Sequence, residues 1–339
     1  KDVLVFWLDK GVDGFRIDAA PYLFEHADFQ DAPPPDNVSR SYVQNQPETY
    51  DMIYQWRQVI DDYNKQNGGD TRVLMTEAYT PINSTMLYYG NETVDGAHFT
   101  FNFYLIINTT NNSTANQVVS VINTWFQNMP RRFVANWVLG NHDRHRVATR
   151  QGVENVDGYN MLITLLPGIA NTYNGEEIGM EDGEVTWEEG QDSIACQSAR
   201  ENFQSTSRDF QRTPFHWDST VNAGFSTANK TWLPVSSKYR TNNLELQSRD
   251  GVKSHFHIYQ DLMKLRKENT FIFGNLNIEV LDTNVFAFTR ELDGNDTYVF
   301  IFNNGYNSAT VSLSSFKSIA DCADVRVVLS STNSLRNKG

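Results

Sequence analysis

Short apolar runs alternate with amphipathic helical stretches along the first half of the chain, and this alternation restricts the fold more than any other feature. Extended apolar segments are expected at 12–18, 72–77, 97–103, 133–139 and 168–173. Between them, Met52, Ile53, Trp56, Val59, Ile60 and Tyr63 recur at helical spacing, as do Val118, Val119, Ile122, Trp125, Phe126 and Met129. Another helix is expected around Met161–Leu166, ended by Pro167. Strands that alternate with helices form a parallel sheet with helices packed on it. A closed (β/α)8 barrel needs eight such strands. Five are countable, and Val3 to Leu8 reads as the end of a helix with no visible beginning. The expectation is therefore the C-terminal part of a TIM barrel, truncated at its start. A polar loop from about Glu181 to Asp250 interrupts the rhythm, and loops that long usually carry function. A helix from Ser254 to about Glu268 follows. Beyond Phe273 the pattern becomes short strands, with 284–291 and 297–302 flanking an Asp293-Gly294 turn. The expected division is a partial barrel at 1–273 and a small, incomplete antiparallel β-domain at 274–339.

The formal net charge of −13 argues against a nucleic-acid partner, since phosphate binding rests on Lys and Arg. No apolar run approaches the roughly 18 residues of a membrane span, so membrane attachment would need an anchor outside this chain. Cys196 and Cys322 could pair or stay free; spacing does not decide. Asn-x-Ser/Thr occurs at Asn37, Asn83, Asn91, Asn108, Asn111, Asn112, Asn229 and Asn295. One such match is common by chance. The set exceeds chance and favours a secretory, glycosylated, extracellular protein.

Asp18, Glu77 and Asp143 lie at or just beyond the ends of three of these apolar runs. In parallel α/β architectures that is the carboxyl edge, where active sites gather. A lone acid there is as readily a helix cap or an arginine partner. Three on three strands, with Arg16 beside the first and His142 beside the third, point to chemistry. A carboxylate pair suits glycoside hydrolysis, because one member attacks the anomeric carbon while the other protonates the leaving oxygen. Arg16 shares a strand face with Asp18 and can hold it ionised. Glu77 must begin protonated, which calls for a dry site or negative neighbours.

The runs GFRIDA (Gly14 to Ala19), MTEAY (Met75 to Tyr79) and GNHD (Gly140 to Asp143) resemble, in order and spacing, the strand-end motifs of the α-amylase family. YNGEEIGMED at 173–182 and RTPFHWD at 212–218 resemble α-glucosidase motifs, especially of insect-type maltases. This resemblance implies a retaining α-glucosidase that removes terminal non-reducing α-1,4-linked glucose from maltose, sucrose-like and short malto-oligosaccharide substrates. It assigns Asp18 as nucleophile, Glu77 as general acid/base and Asp143 as the third carboxylate, which grips sugar hydroxyls. His142 would donate to a sugar hydroxyl, Arg212 would clamp the non-reducing glucose, and Ala19 resembles α-1,4-specific members. No cofactor is implied; a structural calcium is left open only for a part preceding Lys1. The family's early histidine motif would also precede Lys1, and Arg144-His145-Arg146 departs from its usual Gln-Pro-Arg. Two rivals share the fold: a glycosylated scaffold of the amino-acid-transporter heavy-chain type, and a transglucosylase or sucrose isomerase with the same three acids.

Overall fold

The computed structural model describes residues 1–29, 42–319 and 325–334. Asn37 and Cys322 lie outside them. The chain divides into two compact units, one of residues 1–103 with 122–137, the other of residues 104–121 with 138–339.

The first unit holds a parallel sheet of β1 (Gly14–Ile17), β2 (Val73–Thr76) and β3 (Phe99–Thr100), in that spatial order. All three lie inside the expected segments and are shorter. Register pairs Arg16 with Met75 and Ile17 with Thr76, so β1 and β2 end level. Gly14 permits the close approach of the two strands: a Cβ there would stand 2.5 Å from the Val73 carbonyl oxygen. The amphipathic helix runs over Pro47–Asn67, with proline in its first turn and Gly68 at φ 63 as its cap. Ile53 and Ile60, two turns apart, are fully buried in a core with Leu8, Leu74, Tyr88 and Ala97. Past the end of β3, Asn136 extends the ladder with its side chain, accepting from the Asn102 amide at 2.8 Å and donating to the Thr100 carbonyl at 2.6 Å.

The helix Ala115–Asn128 and strand β4 (Asn136–Val138) each run from one unit into the other. In the second unit, every residue of the helix Val156–Leu165 is buried, and β5 (Ile169–Asn171) follows it. Strands β6 (Asn275–Asp282), β7 (Val285–Glu291) and β8 (Tyr298–Asn303) form the antiparallel sheet expected after Phe273, with β7 central. The turn between β7 and β8 contains Gly294 at φ 76. Arg290 of β7 is buried and donates to the carbonyls of Leu165, Phe271 and Gly274. A guanidinium thus satisfies a helix-end carbonyl that the backbone leaves open.

The segment 181–250 is not the irregular loop its polarity predicts. It contains helical turns at Ser193–Cys196, Phe203–Thr206, Phe210–Arg212, Ser237–Arg240 and Leu244–Gln247. Asp192, Ser236 and Asn243 cap three of them with their side chains. Val185, Ala195, Phe203, Phe210 and Leu233 pack beneath them as a small core. These turns are too short to show periodicity in sequence; their caps and shared core hold them. Among the described residues no helix is long and apolar enough to cross a membrane.

Candidate active site

The first cluster lies at the carboxyl ends of β1 and β2. Glu77 follows β2 directly, and its amide donates to the Ile17 carbonyl at 2.9 Å, which carries the pairing one step past the strands. Asp18 occupies the matching position after β1. Arg16 Nη2 contacts both acids, at 2.5 Å from Glu77 Oε2 and 3.1 Å from Asp18 Oδ1. The carboxylates differ sharply in solvation: the Glu77 side chain is 8% exposed and that of Asp18 74%. Burial pushes the Glu77 carboxyl up to about 7, helped by a hydrogen bond with Asp18 and opposed by the Arg16 charge. Two neighbouring acids in unlike surroundings separate into a proton-holder and a partner, the division that acid catalysis with nucleophilic attack requires.

Ala19 turns the chain away from the site. It adopts left-handed φ 44, ψ 40, which only a small fraction of non-glycine residues do. This turn brings the Ala19 amide to 3.5 Å from Glu77 Oε2 and the Ala20 amide to 3.0 Å from the Glu77 carbonyl.

The second cluster gathers on the turn that follows β4. Asp143 Oδ1 accepts from Arg208 Nη1 and from Arg212 Nη2, both at 2.9 Å, and His142 Nε2 stands 3.5 Å from Oδ2. Arg212 also donates through Nε to the His142 carbonyl at 2.7 Å. Arg212, His142 and Asp143 are therefore brought together. Arg208 was not expected. Its guanidinium is held on the opposite side by Asp192, with Nε to Oδ2 at 2.8 Å and Nη2 to Oδ1 at 2.7 Å. The Asp192 side chain is 1% exposed, and hydrogen bonding from Arg208 holds its carboxyl well below the usual range. Asp209 Oδ2 in turn accepts from the Gln191 and Asp192 amides. The bidentate Arg208–Asp192 pair fixes orientation as well as charge. The available signal for Arg208 was its position four residues before Arg212; without an expected helix that spacing carried no meaning.

Of the eight sequon asparagines, the seven in described residues are all exposed. Cys196 is exposed and has no disulfide partner among the described residues, Cys322 lying outside them.

Residues 1–274 match the family model for the alpha amylase catalytic domain. Maltase A1 of Drosophila melanogaster is 44% identical to this chain, over 96% of the chain and 59% of its own length. A salivary alpha-glucosidase of Aedes aegypti is 42% identical over 98% of the chain and 59% of its own length. Among solved structures, the alpha-glucosyl transfer enzyme XgtA superposes with a TM-score of 0.75 at 25% identity, covering 89% of this chain and 58% of that one. The chain thus spans somewhat more than half of the length of these proteins. With the strand-end acids, the parallel sheet and the family match in agreement, the chain belongs to the alpha-amylase family, of TIM-barrel fold with a C-terminal β-domain.

Proposed function

We propose that the protein to which this chain belongs is a retaining α-glucosidase acting on terminal α-1,4-linked glucose of maltose and similar short α-glucosides. The observation that carries this reading is the Arg16–Asp18–Glu77 cluster, in which a buried Glu77, its carboxyl pushed up to about 7, sits beside an exposed Asp18. In the first step the Asp18 carboxylate attacks the anomeric carbon as the glycosidic bond breaks, and Glu77 gives its proton to the departing oxygen. In the second, the Glu77 carboxylate takes a proton from water, and the hydroxyl displaces Asp18 from the glucosyl carbon. Asp143, oriented by Arg208 and Arg212, takes hydrogen bonds from sugar hydroxyls, and His142 donates one. The proposed chemistry needs no cofactor. A pure scaffold has no use for a buried acid and an exposed acid sharing one arginine at the strand ends, so the catalytic reading is preferred. The names of the similar maltase and salivary alpha-glucosidase point the same way. With the exposed sequons, they also favour a secreted glycoprotein.

Proton NMR of the first-formed sugar from maltose tests the mechanism. Double displacement releases α-glucose, which then mutarotates; initial β-glucose would sink it.

A further inference from the structure

Glu176 lies in the 3-10 turn Glu176–Ile178, outside both clusters, and is 2% exposed. Its carboxyl stands between two segments. On one side Oε1 lies where a side chain on Gly140 would go, only 2.6 Å from an ideal Cβ there. On the other, Oε2 accepts from the Tyr173 amide at 3.1 Å. Gly140 opens the turn that carries His142 and Asp143. Tyr173 donates its hydroxyl to the Gln211 carbonyl at 3.1 Å, and Gln211 and Arg212 both donate to the His142 carbonyl. The contacts make a closed ring, from Gly140 through His142, Gln211 and Tyr173 to Glu176 and back. Glu176 Oε1 has no hydrogen-bond partner among the described residues, although it is buried. A buried polar atom left so in a packed ring requires a reason.

We propose that Glu176 is a positioning residue for the Asp143 cluster, a wedge that sets the spacing between the Gly140–Asp143 turn and the Tyr173–Gln211 contact. The wedge works as a neutral acid. Burial raises its carboxyl to about 8, against the Tyr173 amide and the charges of Arg150 and Arg146. The other titratable groups facing it are Glu177, Tyr173 and Tyr259. Ionisation would place a bare carboxylate oxygen against the Gly140 backbone with no donor to receive it, and the turn would have to move. Asp143 would then lose its alignment while Asp18 and Glu77 kept theirs.

This inference rests on the α-glucosidase reading, and the test separates the two. The full-length protein is compared with Glu176→Gln and Glu176→Leu on a nitrophenyl α-glucoside, whose good leaving group makes the glucosylation step independent of Glu77 protonation. The wild-type kcat/KM should fall reversibly as pH rises through about 8. E176Q, neutral at every pH, should lack that fall and keep most of the neutral-pH rate. E176L should lose tenfold or more, chiefly in kcat, because the sugar-gripping carboxylate acts most strongly in the transition state. Melting temperatures identify a variant that is merely unfolded; should E176L be one, the E176Q profile decides alone. Wild-type kinetics in E176L, or an unchanged high-pH fall in E176Q, overturns the positioning role. A wild-type protein without α-glucosidase activity overturns the underlying reading, and this inference with it.

Discussion

Removing the Glu77 carboxyl differs from removing its neighbours' charge, and the cluster predicts distinct outcomes. The working acid is the protonated form. With its carboxyl raised to about 7, kcat/KM for maltose should decline as pH rises through about 7. Arg16 opposes that shift, so Arg16→Gln should carry the decline to higher pH while lowering kcat through the loss of the Asp18 contact. A pH profile that stays in place would show that Arg16 does not act on Glu77. Glu77→Gln should nearly stop maltose turnover yet spare the glucosylation step of nitrophenyl glucosides, whereas Asp18→Asn should stop turnover of every substrate with the fold intact. Near wild-type maltase activity in both would remove the catalytic assignment. Ala19 behaves differently. Its resemblance-based link to α-1,4 specificity suggests Ala19→Val as a swap, with a ceiling of about 1–3 kcal/mol in the maltose-to-isomaltose ratio. The structure adds a cost, because a β-branched residue at φ 44 is strained by about 1–3 kcal/mol. Ala19→Val should therefore lower the melting temperature as well as narrow the ratio. A narrowed ratio with unchanged melting would mean that the turn relaxes out of the left-handed region.

At the scale of elements, the segment 181–250 turns out to be a support for Asp143, and Asp192 is its anchor. Asp192 caps the Ser193–Cys196 turn, accepts the Arg208 amide at 2.9 Å and takes both ends of the Arg208 guanidinium. Asp192→Ala should destabilise the protein by about 3 kcal/mol, the lower end for breaking a buried pair because Arg208 is 29% exposed. It should also reduce kcat/KM, as Arg208 loses its hold on the side away from Asp143. Chemical denaturation and maltose kinetics check the two effects; a loss of stability with no loss of rate would confine Arg208 to a structural part. None of this was readable beforehand. Asp18 and Glu77 could be found because each closes a contiguous apolar run, so local order alone places them at a strand end. The hairpin of β7 and β8 was equally legible, from alternation around Asp293-Gly294. Arg208 and Asp192 meet across 16 residues of irregular chain, where no period links them, and Glu176 reads as an ordinary charged residue until its burial is seen.

For the molecule as a whole, the revealing feature is how unevenly the parallel strands are covered. Strands of a barrel are apolar because helices pack outside them and side chains fill the interior, so both faces should be dry. β4 meets that condition, with all three residues buried. β1 does not, since Arg16 is exposed and its other residues are only half-buried, and β5 exposes Ile169 at 39%. The helix Asp2–Asp9 likewise exposes Val3, Phe6 and Trp7 at 68%, 53% and 47%. Each is a large apolar group of the kind that stabilises a fold by roughly 1.5–3 kcal/mol when fully buried and contributes little when wet. A family relative spreads the cost of ordering its chain over a longer sequence, of which this chain spans 59% in the case of Maltase A1. Net stabilities are only about 5–15 kcal/mol, so a few uncovered side chains of this size on each unit are a large fraction of the whole. Residues 1–339 expressed by themselves should accordingly bind a hydrophobic dye, melt broadly and fail to hydrolyse maltose, whereas the longer Maltase A1 should melt cooperatively and bind little dye. The two preparations are compared by calorimetry and dye fluorescence at equal concentration. A sharp calorimetric transition for 1–339, with no dye bound and maltose hydrolysed, would mean that these apolar faces are tolerated as surface and that β1 and β5 need no further cover.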